Sequence, residues 1–312
     1  MILYIPPLRG YDVPVFCTGP FADRKGGCVS MKRSPSGRLF IVAAALLWGL
    51  GGVCIKSVSW NTMAITFSRS VLALPVLLLV RRGKPLRLTR TDLLGALAMT
   101  VTGLVYIQAV KWTTAGTAIV LQYIAPVLIF LYSVIFKGRR ATKTEVIITA
   151  VVFAGVLLCF SDSFDLTRVL GNALALFSGV TFAAQIVIMS DREADSGNSL
   201  ILACIMAALI SLPFVLFGPR LSFDRKNIFW ILIMGLFQYG AANACFGIGV
   251  KTTDPVESGL LLTLEPVCNP ILVALICGEV MGPRALAGAA IVVAALVIRT
   301  LLQKRNEPEP EP

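Results

Sequence analysis

Residues 251–298, KTTDPVESGLLLTLEPVCNPILVALICGEVMGPRALAGAAIVVAALVI, repeat an earlier stretch of the same chain. Moved back by 140 positions they align without a gap on residues 111–158, KWTTAGTAIVLQYIAPVLIFLYSVIFKGRRATKTEVIITAVVFAGVLL. Nine of the 48 aligned pairs are identical, among them Lys111/Lys251, Thr113/Thr253, Leu121/Leu261, Pro126/Pro266, Val127/Val267 and Gly138/Gly278. Apolar composition produces some matches by itself. It does not readily produce a lysine before an apolar run, a proline inside it and a glycine after it, all in one register. Self-similarity at a fixed period is therefore the first feature to interpret.

The composition sets the solvent. Of 312 residues, 56% are hydrophobic and 14% charged, against about 25% charged in a soluble domain; the mean hydropathy is +0.82. Apolar runs of about 20 residues, enough for a helix to cross the hydrocarbon core, recur from residue 39 onward. Lipid leaves backbone groups only helices or a closed barrel. These runs are continuous and do not alternate, so they read as helices.

The net charge of +11 sits mainly in short loops between apolar runs, where membrane orientation accounts for it; nucleic acid is not an expected partner. Eight cysteines are scattered without a C-x-x-C pair and there is no histidine, so neither a metal site nor a disulfide framework is expected. No G-x-x-x-x-G-K-[ST] loop is present, which argues against ATP hydrolysis. No cofactor is implied.

Residues 1–38 read as an N-terminal extension. Their first thirty residues carry Pro6, Pro7, Pro14 and Pro20, and Met31 opens a short basic leader, MKRSPSGRLF, that has the character of a true start. Ten spans are expected at about 39–58, 61–80, 91–110, 114–136, 145–161, 169–189, 197–217, 227–249, 255–277 and 284–302. They group into repeats at 39–161 and 169–302, with a polar, disordered tail at 303–312.

The loop after the second span, RRGKPLRLTR, carries five basic residues and that after the fourth, KGRRATK, four, against none and one (Lys111) after the first and third. By the positive-inside rule both termini are cytoplasmic. An odd number of spans per repeat makes the second copy enter from the opposite face. The fold class is thus all-α integral membrane, ten transmembrane helices as two inverted five-helix repeats, the plan of many secondary transporters.

The first span, AALLWGLGGVCIK ending at Lys56, the arginine in FSRSVLALP, the paired fourth and ninth spans, Leu264–Val267 (LEPV) and Gly278-Glu279 together resemble the drug/metabolite transporter superfamily, in its EamA-type ten-helix branch. The resemblance covers about residues 39–302. It implies an inner-membrane secondary carrier for a small organic metabolite, working by alternating access, with export of amino acids or related compounds as the expected activity and no enzyme chemistry. The rivals are uptake or exchange of an anionic, nucleotide-like or cofactor-like metabolite, with Arg69 and Lys56 as anion partners, and a non-transporting membrane subunit or sensor. Partners are the bilayer and the substrate; a homodimer is open. One departure from repeat symmetry stands out. The first repeat has Ala125 and Arg139 where the second has Glu265 and Glu279, so carboxylate roles fall in the second half.

A charge at mid-bilayer costs about 3 kcal/mol on insertion scales and therefore usually faces a cavity or a partner. Arg69 in the second span either binds an anionic group or sits in a structural ion pair. Glu265 in the ninth either loads and unloads a proton, which suits proton coupling, or is hydrogen-bonded to a neighbouring helix. Pro126 and Pro266 remove helix hydrogen bonds, giving matched hinges or static kinks. Trp48, Tyr106, Gln108, Gln122, Tyr123, Gln185, Gln238, Tyr239 and Asn243 form a polar and aromatic set. They offer walls for an amphipathic metabolite, with interhelical hydrogen bonding as the alternative. Glu257 reads as a helix-start carboxylate, Lys56 as a residue that snorkels to the interface, and Glu279 as a surface group closing the ninth span.

Overall fold

The computed structural model describes residues 35–83, 85–136, 138, 140–162, 166–189, 194–249, 253, 258 and 261–305. Met31, Glu257 and most of the expected N-terminal extension and tail lie outside them. Eight helices among the described residues are long and apolar enough to cross a membrane. The first span runs over Pro35–Gly49 and Gly51–Ser57, the second Thr62–Arg81, the third Arg90–Trp112, and the fourth Ala115–Gln122 and Ala125–Ile135. The fifth is Lys143–Phe160, the sixth Leu166–Met189, the seventh Ser196–Leu216. The eighth is Arg225–Gly249, the ninth ends in Leu264–Cys277, and the tenth is Pro283–Arg305. Two ends differ from expectation. The first helix begins at Pro35, since proline is at home in a first helical turn. The last runs to Arg305, three residues into the expected tail, because Gln303, Lys304 and Arg305 suit a helical C-terminus.

Span starts are built on short polar caps. Asn61, Thr89, Thr114, Asp195 and Asp224 each accept from the backbone N–H three residues on, and Thr142 with Glu145 forms a full capping box. These caps satisfy donors that lipid cannot.

The packing pairs carry the two-fold relation. The first span packs on the eighth and ninth, and the sixth on the third and fourth. The second packs on the eighth and the seventh on the third. Second with seventh, fourth with ninth and fifth with tenth also touch. Exchanging the halves turns the first two sets into each other and returns the last three pairs to themselves, so those three straddle the pseudo-two-fold axis.

The repeated prolines break the helices at the same register. Pro126 has no N–H for the Gln122 carbonyl. The chain tightens ahead of it, with Tyr123 N–H bonding Val120 O (3.0 Å) and Ile124 N–H bonding Leu121 O (3.1 Å). In the ninth span, helical Leu261 and Leu262 are followed by a turn at Thr263 before the helix resumes at Leu264. Thr263 matches Tyr123 under the 140-residue shift. A glycine of the other half packs at the first break and another on the helix just after the second. A Cβ on Gly179 of the sixth span would stand 2.8 Å from the Gln122 carbonyl oxygen, and one on Gly49 of the first span would stand 3.3 Å from Cys268 Cβ. At Gly179 the absence of a Cβ lets the sixth span close in on the broken backbone.

Candidate functional site

The two helix breaks bring the candidate residues to the junction of the halves. Glu265 lies in the first turn of Leu264–Cys277, where the helix N-terminus favours a carboxylate. Tyr123 occupies the break of the fourth span, and Tyr106 comes from the third. Both tyrosines lie within electrostatic reach of the Glu265 carboxylate and of each other. Among the described residues Glu265 has no hydrogen bond and no ion pair, so the expected tie to a neighbouring helix is not made there.

Arg69 is 8% exposed. Its guanidinium carbon stands 4.4 Å from the centroid of the Tyr239 ring. A guanidinium nitrogen lies 2.7 Å from the point a Cβ on Gly103 would occupy. Cys204 of the seventh span is also in electrostatic reach, which sets Arg69 beside the second–seventh contact on the pseudo-axis. Its Nε is buried with no hydrogen-bond partner, as are Thr66 Oγ and Ser70 Oγ on the same helix face. Arg69 has no carboxylate partner among the described residues.

Gly103 and Tyr106 place the two charges relative to one another. They are three residues apart on one helix, so they are neighbours on one face, about 4.5 Å apart along the axis. The third span thus presents Gly103 to a cation and Tyr106 to a carboxylate.

The rest of the set divides. Gln108 accepts from Thr62 Oγ at 2.6 Å, Gln122 Nε2 donates to Ser178 Oγ at 3.2 Å, and Asn243 Nδ2 donates to Tyr239 O at 2.6 Å. Gln108 and Gln122 follow the alternative of interhelical hydrogen bonding, whereas Asn243 bonds back to its own helix. Trp48 packs on Phe246 (5.3 Å between centroids) in an apolar cluster of the first, eighth and ninth spans. Gln185 and Gln238 are half-buried and make no hydrogen bond among the described residues; Gln238 Nε2 lies 3.1 Å from the point a Cβ on Gly51 would occupy. Pro126 and Pro266 sit at the two breaks.

Lys56 departs from the snorkelling expectation. Its Nζ lies 2.6 Å from Glu279 Oε2 and donates to Thr113 O at 2.7 Å, while Glu279 Oε1 accepts from Ala115 N–H at 2.7 Å. Lys111 Nζ donates to Val58 O alongside. A carboxylate and a carbonyl within reach outcompete distant water. The result is a latch joining the first span, the third–fourth turn and the ninth span at one face of the membrane. A second polar cluster was equally hidden in the sequence. Asp92 is fully buried and accepts from Asp195 N–H (2.9 Å), Asn198 Nδ2 (2.8 Å) and Ser199 Oγ (3.3 Å).

Comparison with known proteins agrees with this architecture. The family model described as EamA-like transporter family matches residues 35–161 and again 169–301. An uncharacterized transporter of Archaeoglobus fulgidus is 28% identical over 271 residues, covering 84% of this chain and 95% of its own length. One from Clostridium kluyveri is 22% identical, covering 86% and 94%. The uncharacterized transporter YwfM of Bacillus subtilis is 25% identical, covering 86% and 95%. A solved crystal structure superposes with a TM-score of 0.64 at 22% identity, covering 89% of this chain and all of that one, a likeness of fold. With a family match over both halves and transporters as relatives along nearly their whole length, this multi-pass membrane protein belongs to the EamA-like transporter family.

Proposed function

We propose that the chain moves a small organic metabolite by alternating access, and that amino acids or related compounds are exported by it. One observation supports this most. A guanidinium and a carboxylate, neither with a partner among the described residues, face the same stretch of the third span where the two halves meet. Unpaired charges at that depth are costly and usually functional, and inverted-repeat carriers hold substrate at the repeat interface near the midplane. A cation and an anion that face the same span suit a zwitterion. The rival anionic substrate would use Lys56 as a second cation, and Lys56 is engaged by Glu279 and Thr113 O, which favours the zwitterion.

Glu265 is the candidate for proton coupling, with Tyr106 and Tyr123 as the titratable groups facing it. The basic loops of the first half support placement in the inner membrane with cytoplasmic termini. The test is mass spectrometry of medium and cytosol from cells expressing the chain or carrying an empty vector. Amino-acid-like compounds enriched outside and depleted inside support export; accumulation inside overturns the direction. In the resulting assay, a Glu265→Gln variant with unchanged pH-dependent transport rules out coupling through Glu265.

A further inference from the structure

The eighth span is not a regular helix. Ile233–Ala241 is π-helical, nine residues long. Such segments are rare beyond a single turn and cluster at functional sites. This one carries Gly235 and Gly240 against the second span. A Cβ on Gly235 would stand 2.4 Å from Leu72 Cβ, and one on Gly240 would stand 3.1 Å from Val76 Cβ. The two helices can therefore approach only because both positions lack side chains. Leu72 and Val76 follow Arg69 by three and seven residues, on the same face. Closing the eighth span on that face brings the Tyr239 ring to 4.4 Å from the Arg69 guanidinium carbon.

The partner so delivered is unusual. A buried arginine ordinarily takes a carboxylate, which occupies its donors. A ring face holds the cation through its quadrupole and accepts none of the in-plane N–H groups. Gly103 offers no side chain to accept them either. Nε is buried and unpartnered, and the arginine makes no hydrogen bond among the described residues. Among the described residues the guanidinium is held in place with its donor fork unused.

We propose that Tyr239 is a positioning residue that keeps Arg69 available, and that the free fork of Arg69 is the docking point for a planar oxyanion of the substrate, a carboxylate. The inference rests on the carrier reading for its use in transport, but its chemistry is testable alone. A carboxylate matches the fork in a bidentate pair, and an uncharged amide of the same shape does not.

The experiment uses the purified full chain in lipid nanodiscs, followed by thermal unfolding through tryptophan fluorescence. The probes are benzoate and 3-phenylpropanoate against benzamide and 3-phenylpropanamide, at constant ionic strength. The two carboxylates are expected to raise the midpoint saturably, and the amides to leave it unchanged. R69Q abolishes the carboxylate response. Y239F keeps it, and Y239L, which retains the charge but loses the ring, needs about tenfold more ligand. Y239L also reports where R69Q does not fold. Amides that act as well as carboxylates, no response of the wild type to either class, or a full response in Y239L overturns the proposal. Carboxylate binding without any transport sinks the carrier reading instead and leaves Arg69 as an oxyanion site. Transport that is indifferent to a carboxylate sinks this proposal alone.

Discussion

Cutting the latch at Glu279 is expected to free one face of the protein. Its carboxylate takes the Lys56 ammonium at 2.6 Å on one oxygen and the Ala115 N–H at 2.7 Å on the other. The side chains are 19% and 24% exposed, so water weakens the pair without replacing it. Hydrogen bonds to charged groups contribute about 1.5–3 kcal/mol each. After a discount for partial exposure, removing both by Glu279→Ala costs about 3 kcal/mol, a hundredfold in the closed-to-open ratio of that face. Glu279→Gln keeps an acceptor for Ala115 N–H and loses only the ion pair, about 1.4 kcal/mol or tenfold. Val58, fully buried beside the latch with its carbonyl taken by Lys111, supplies the reporter. In a cysteine-free background carrying Val58→Cys, maleimide labelling follows the open fraction. The expected rates rise about tenfold for Gln and a hundredfold for Ala. Unchanged labelling in both variants, with a lowered melting temperature, would show a static strut and refute the reasoning.

Other substitutions test other parts of the fold. Asp92→Ala removes the acceptor of one Asn198 amide N–H, of the Asp195 N–H and of the Ser199 hydroxyl and is expected to destabilise by about 3 kcal/mol, read as a lower unfolding midpoint; Asp92→Asn costs less because it still accepts. Gly179→Val places a Cβ 2.4 Å from Ile124 Cγ2 and is expected to destabilise by about 3 kcal/mol through overpacking. Gly49→Ala meets its nearest neighbour at 3.3 Å and is expected to be milder; equal effects would contradict the packing described. Pro126→Ala restores a donor to the Gln122 carbonyl, so transport is expected to fall while thermal stability holds or rises.

The architecture was readable because lipid narrows the options. An apolar run of span length has few fates, and a proline and a glycine repeated 140 residues apart could be aligned by eye. Arg69 and Glu265 were readable for the same reason, as charges where charges are costly. Their surroundings were not. Tyr239 reaches Arg69 only through a π-helical stretch, whose register no α-helical periodicity reveals. Lys56 looked like a snorkelling residue because its partners, Thr113 O and Glu279, are remote in sequence and adjacent only after the halves pack. Asp92 stands in the first turn of its helix, where Thr89 caps its N–H. Its burial under the seventh span is a tertiary fact. Gln108, Gln122 and Asn243 show the converse. Polar residues in a span signal a hydrogen bond, but the sequence does not say whether helix or substrate provides it.

The two halves share a backbone plan and differ in chemistry, and that difference has a direction. Helix breaks at Tyr123 and Thr263 and the exchanged packing pairs make the halves near equals. A carrier built of equals would hold its two access states at similar free energy. The latch breaks the balance. Where the second half supplies Glu279, the first half has Arg139. Where the first half supplies the Ala115 N–H, the second has Pro255, which has none to give. The same latch therefore cannot form at the opposite face with the halves exchanged. Its contribution, about 3 kcal/mol by the hydrogen-bond values above, enters one access state alone. If substrate binds between Arg69 and Glu265 as proposed, it must then favour the other state by a comparable amount for the cycle to turn over, since a ligand moves an equilibrium only by its differential affinity. That requirement makes the strength of the latch and the affinity of the site a linked pair. Weakening Glu279 should tighten apparent binding in the state the latch opposes, and an Arg69 variant should leave the latch closed even when substrate is saturating.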